Sequence, residues 1–152
     1  MKKFRHLLIL LLIMTYSTAI AQKLSSHKWQ DRIIILQVND PANQLLEKQL
    51  IELKKHKAGL DDRNLIVYQM IQNKYKKGFS NDGQWESTKD SDNIKQIDEE
   101  FEVLLIGLDG GIKLRKNEFI SCQKLFEVID QMPMRQSEIR KGNKSDSLNY
   151  FD

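Results

Sequence analysis

An α/β fold, built on a four-stranded mixed sheet with helices on its faces, is predicted by three features of the 152-residue chain. Two short β-branched runs, "RIIILQV" and "NLIVYQMI", flank one amphipathic stretch. Two further runs, "FEVLLIG" and "IKLRK", fold back across the glycine-rich turn "LDGG". A last stripe of apolar residues at helical spacing follows them.

Arg32 to Val38 reads as a strand buried on both faces, because its apolar residues do not alternate with polar ones. "NDPA" turns the chain, with Asp40 as a helix cap and Pro41 at the first helical position. The helix is expected from Pro41 to about Ala58, with Leu46, Leu50 and Leu53 on one face, basic residues at its negative end and Gly59 as a left-handed stop. Asn64 to Ile71 is the second strand. Strand, helix, strand with short joints makes a right-handed parallel βαβ unit.

From Asn73 to Asn93 the chain is polar, with Tyr75, Phe79 and Trp85 as its large apolar groups, and reads as a long surface excursion. A short helix is expected from Asp92, carrying Ile94 and Ile97. Phe101 to Gly107 is the third strand and Ile112 to Lys116 the fourth, with Ile112 and Leu114 inward and Lys113 and Arg115 outward at a sheet edge. Ser121 caps a final helix whose stripe is Cys122, Leu125, Phe126, Ile129 and Met132. Pro133 kinks or restarts it, helical turns run to Gly142, and residues 143–152 read as a flexible tail. A βαβ unit followed by ββα is the layout of the thioredoxin fold.

Residues 1–21 read as a secretory signal and not as part of this domain. Lys2, Lys3 and Arg5 precede the apolar run Leu7 to Met14, and Ala19-Ile20-Ala21 suits cleavage before Gln22. That run is well short of the ~20 residues that span a bilayer, and no cysteine at the cleavage point offers a lipid anchor. A periplasmic or secreted domain spanning residues 22–142, without a membrane span, is expected. Without the signal the chain holds 21 basic and 21 acidic residues, a balance that argues against nucleic-acid binding. Its single cysteine cannot form an internal disulfide.

Three blocks make the chain resemble a thioredoxin-like family, the domain of unknown function numbered 4174, related to peroxiredoxin-like repeats of extracellular-matrix proteins. "HKWQDRIIIL" is similar to the family's opening Trp-x-x-Arg and first strand. "FEVLLIGLDGGIKLR" and "LFEVIDQMPMRQSEIR" are similar to its closing half. The likeness runs from about Ser25 to Lys141 and skips Asn73 to Asn93. It implies export and a thioredoxin-like fold, and it supplies no established activity and no functional residues to carry over.

In a thioredoxin-like fold the reactive thiols sit where the first strand meets the first helix. Here that place reads "NDPANQ", without a cysteine, and "DEEF" stands where the fold usually has a proline before the third strand. Ordinary disulfide exchange is therefore not expected. Cys122, on the first turn of a helix, has two readings: a thiol activated by the helix dipole, or a packed member of the stripe. The second is favoured. His27 and His56 are far apart and no paired cysteines accompany them, so no metal site is expected. The acidic stretch from Ser80 lacks calcium-loop spacing, and neither a Ser/His/Asp order nor a phosphate loop is present.

Trp85 and the basic face of Lys113 and Arg115 are the candidate binding residues. Against this, Trp85 can fold back as a small satellite core, and the charges can serve only to keep an edge strand from pairing. Asp109 and Arg135, both in the matched blocks, are candidates for a structural contact. The resulting expectation is an exported binding or accessory module without redox motif or cofactor, its partner an envelope or extracellular protein. The alternative is a one-cysteine thiol peroxidase or redox sensor using Cys122.

Overall fold

A computed structural model describes residues 26–72, 74–79, 83–87, 97 and 99–148, with side chains to 142. The expected signal, the expected helix start at Asp92 and residues 149–152 lie outside these. Ten elements follow in order: β1 (Arg32–Val38), α1 (Gln44–Lys55), α2 (Lys57–Asp62), β2 (Leu65–Ile71), β3 (Lys74–Lys77), β4 (Glu86–Ser87), β5 (Phe101–Ile106), β6 (Ile112–Lys116), α3 (Cys122–Asp130) and α4 (Pro133–Leu148). The sheet order is β4-β3-β2-β1-β5-β6. Strands β1 and β2 are parallel, and every other pairing is antiparallel.

The expected βαβ and ββα halves are both present, and the four predicted strands lie side by side as β2-β1-β5-β6, with β6 at the expected edge. Two more were hidden in the polar excursion. "KYKK" lacks apolar alternation, yet backbone bonding to β2 makes it β3, with Tyr75 opposite Met70 and Lys76 opposite Gln69. The two-residue β4 then closes that edge with little backbone exposed to foreign strands. On the other edge, a register shift at Leu105/Ile106 sets Ile112 opposite Ile106, and Ile112 is half exposed instead of facing inward.

The helix ends also differ from expectation. Asp40 Oδ1 accepts from the Ala42 N–H in a local turn. The cap is Asn43, whose Oδ1 accepts from the Leu45 and Leu46 N–H groups at 2.9 and 3.1 Å. Gly59 does not stop the helix but lies within α2, where a Cβ would stand 2.6 Å from the Phe126 ring, so its role is close approach to α3. The left-handed stop is Asn64, at φ 47°, whose carbonyl accepts from the Arg32 N–H. Ser121 caps α3 as expected, through Lys124 N–H. Pro133 is the first residue of α4, which continues through Gly142 to Leu148, beyond the expected tail boundary.

Helices and sheet enclose one large core. Ile34, Leu36 and Val38 of β1, with Val67, Val103 and Leu105, meet Leu46, Leu53, Leu60, Cys122, Leu125 and Ile129. The opposite sheet face carries Ile33, Ile35, Tyr68, Met70 and Leu104. Between α1 and α3, fully buried Gln49 exchanges two hydrogen bonds with Ile120: Nε2 donates to its carbonyl and Oε1 accepts from its N–H, both at 2.9 Å.

Three arginines tie α4 beneath this core. Arg32, almost fully buried, donates through Nη2 to Glu138 at 3.0 Å and through Nη1 to the Arg63 carbonyl. Arg63 holds Asp130 through two bonds of 2.9 and 2.6 Å. Arg135 meets Asp62, Asp130 and Glu138. Such bidentate, partly desolvated pairs are stronger than isolated surface pairs. Burial pushes the Asp130 carboxyl up, but hydrogen bonds and charge from Arg63 and Arg135 outweigh it and hold it below the usual range.

A carboxyl depressed in the folded state contributes stability above its unfolded pKa of about 3.9, and that contribution disappears as pH falls through the folded value. Asp130→Asn is therefore expected to lower the urea midpoint at pH 7, with the gap to the parent narrowing below about pH 4. A gap that is constant from pH 7 to 2 would contradict this role for the pair with Arg63 and Arg135.

Candidate functional site

The junction of β1 and α1 is closed by polar stitching and not by a reactive group. Asn39 Nδ2 donates to the Glu99 carbonyl at 2.9 Å and Asn43 Nδ2 to that of Glu100 at 3.3 Å, tying the junction to the chain before β5. Two of the first-turn N–H groups of α1, those of Leu45 and Leu46, are already occupied by the Asn43 side chain. Nothing there can act as a nucleophile toward a disulfide or peroxide.

Cys122 lies elsewhere, at the start of α3 and completely buried. Its N–H donates to Glu52 Oε1 at 2.9 Å, and its Sγ lies 3.6 Å from the Glu52 carbonyl. Burial first, and the Glu52 charge second, push the thiol up to about 12. The helix dipole alone would lower it; desolvation beside an anion is the larger effect. Of the two sequence readings, this is the environment of the packed thiol.

At the C-cap of α1, four residues beyond Glu52, His56 donates from Nδ1 to the same Glu52 carbonyl at 2.9 Å, and Nδ1 lies 3.6 Å from Glu52 Oε1. The Phe126 ring stands edge-on to the imidazole. Ligand atoms of Glu52, His56 and Cys122 thus all lie within 4.8 Å of one another. His27 and His56 are far apart in the sequence. The grouping instead joins one histidine to a cysteine and a carboxylate. The spacing of Glu52 and His56, four apart on a helix, was a readable signal. That α3 would deliver Cys122 to the same face was not.

Trp85 is half buried, not exposed: it lies at the β3–β4 edge with Lys76 Nζ 4.7 Å from its ring centroid. Lys113 pairs with Asp109 at 2.6 Å, and Arg115 with the buried Glu102 at 2.8 Å. The Lys113 hydrogen bond and the Gly111 N–H hold the Asp109 carboxyl below its usual range. Asp109 also shapes the turn, in which Gly110 takes φ 81°. The expected contact between Asp109 and Arg135 is not made, since their partners lie on the β6 edge and beneath the core respectively.

The exposed tryptophan is Trp29, with 61% of its surface accessible and a left-handed φ of 67°. Its N–H donates to Leu108 at 2.7 Å, which fixes it beside the hairpin turn. For a bulky residue this backbone is strained by about 1–3 kcal/mol. Nearby, His27 Nδ1 donates to Asp31 at 2.7 Å and Nε2 lies 2.9 Å from the buried Tyr68 hydroxyl. That chain ties the segment before β1 to β2.

The profile of the family described as domain of unknown function (DUF4174) matches residues 23–138. None of the curated proteins matches the chain. Among solved structures, the reduced two-cysteine peroxiredoxin of Plasmodium vivax is similar at a TM-score of 0.52 and 13% identity, over 75% of this chain and 84% of that one. The mitochondrial two-cysteine peroxiredoxin of Plasmodium falciparum gives 0.47 and 17% identity, over 70% and 78%. The former likeness shows the thioredoxin-like fold, in agreement with the strand order and helix placement above.

A residue that tolerates the left-handed region should relieve the strain at position 29. Trp29→Asn is expected to match the parent in chemical denaturation or exceed it by up to about 1 kcal/mol. A loss of more than about 1 kcal/mol would mean that Trp29 is needed for folding.

Proposed function

We propose that this chain, which belongs to the DUF4174 family, is an exported thioredoxin-like module that binds a partner in the envelope or outside the cell and carries out no thiol redox chemistry. The observation that carries the reading is the setting of its single cysteine: fully buried and beside a carboxylate, both of which push the thiol up. Peroxidatic or sensing thiols need the opposite surroundings. Export is supported by the basic start, short apolar run and small-residue site of residues 1–21.

For binding, the best-suited surface is the end of the sheet around Trp29 and the β5–β6 turn. A strained, exposed aromatic contributes little to stability there and is the usual anchor of an interface. Lys113 and Arg115 lie on the strand that follows the turn, already held by Asp109 and Glu102, so they present a preset charge pattern.

The rate of Cys122 alkylation tests the absence of redox chemistry, measured by intact mass in the presence of a chelator. A thiol near 12 is thiolate to only about one part in a thousand at pH 9. Modification of the folded protein is expected to be at least about a thousandfold slower than in urea and unaffected by dilute peroxide. Rapid reaction with an apparent pKa below ~8.5 would instead establish the peroxidase or sensor reading.

A further inference from the structure

We propose that Glu52, His56 and Cys122 form a binding site for a divalent cation of the zinc type. Three donors of three chemical kinds, from α1, its C-cap residue and the start of α3, converge within 4.8 Å. Modest side-chain rotation brings such atoms to the ~2.0–2.3 Å bonds that zinc makes with oxygen, nitrogen and sulfur. A thiolate and an imidazole together select zinc-like ions over calcium and magnesium, which take oxygen donors.

Local geometry aims the donors at one point. The Cys122 Sγ and His56 Nδ1 both face the Glu52 carbonyl, at 3.6 and 2.9 Å. That carbonyl belongs to the last turn of α1, whose negative end favours a cation. Glu52 Oε1 is steadied by the Cys122 N–H, an outer-sphere tie of the kind that orients ligands, and its second oxygen remains to bind. Phe126 limits the swing of the His56 ring.

Binding is a proton exchange without redox change: the Cys122 S–H bond breaks, a sulfur–metal bond forms and that proton passes to solvent, while the His56 ring shifts its proton from Nδ1 to Nε2 and gives the freed Nδ1 lone pair to the metal in place of its bond to the Glu52 carbonyl. The cation offsets the like-charge opposition of thiolate and Glu52. His56 is nearly half exposed while Cys122 is buried. The ion would therefore sit at the rim of the core, with its fourth position toward water, as in three-ligand zinc sites. This site stands independently of the binding surface around Trp29 and of export.

The test is titration of the chelator-stripped protein with cobalt(II), followed by zinc(II). A thiolate-to-cobalt charge-transfer absorption saturating at one equivalent and bleached by one equivalent of zinc is expected. His56→Ala alters an exposed side chain and should keep the fold, checked by circular dichroism; it is expected to weaken cobalt binding tenfold or more. Cys122→Ser is expected to bind without the charge-transfer band or not at all. No band in the parent at millimolar cobalt, or a change of less than tenfold in folded His56→Ala, overturns the assignment.

Discussion

The seam between α1 and α3 hangs on the amide of Gln49. A buried amide with no partner costs about 1–3 kcal/mol for each group left bare. Here both ends of the side chain are satisfied by the backbone of Ile120. The two bonds fix Ile120, two residues before Cys122, and with it the point at which α3 starts. One turn along α1, Glu52 receives the Cys122 N–H, and one further turn brings His56. Positions 49 and 52 lie on one helical face, so a single stripe of α1 supplies the clasp and a cap for α3, and the C-cap residue His56 completes the ligand cluster.

The thioredoxin-like frame carries no thiol at the β1–α1 junction, where such frames usually place one. The β1–α1 junction spends its polar groups on its own helix and on the chain before β5. The only thiol is placed across the core instead, where burial and a carboxylate keep its proton on. The same carboxylate that opposes a thiolate favours a cation, so one geometry disfavours peroxide chemistry and suits a metal. Away from the α1–α3 seam, the left-handed backbone of Trp29 is held by its bond to the Leu108 carbonyl.

Much of this was legible in the residues, wherever apolar pattern decided the structure. The runs at Arg32–Val38 and Leu65–Ile71 are buried strands, and the stripe from Cys122 to Ile129 is a core helix, because hydrophobic burial leaves few alternatives. Pattern failed where backbone bonding or a single polar group decided. Lys-rich β3 is a strand through its pairing with β2, and Lys76 is buried beside Trp85 despite its charge. Asn43, not Asp40, caps α1, since the Asp40 side chain closes a tighter turn first. Nothing in the residues around Gln49 marks it as buried. Its partner is seventy-one residues away, and no local propensity encodes that distance.

The most direct measurement is native-state hydrogen exchange at the Ile120 and Cys122 amides, read by nuclear magnetic resonance. If Gln49 and Glu52 hold the start of α3 as described, both amides should exchange only through global unfolding, at the free energy of the core amides Leu125 and Ile129. Exchange as fast as at the exposed Asn117 and Glu118 would contradict this: the clasp would then open on its own, leaving Cys122 without the fixed burial on which its chemistry depends.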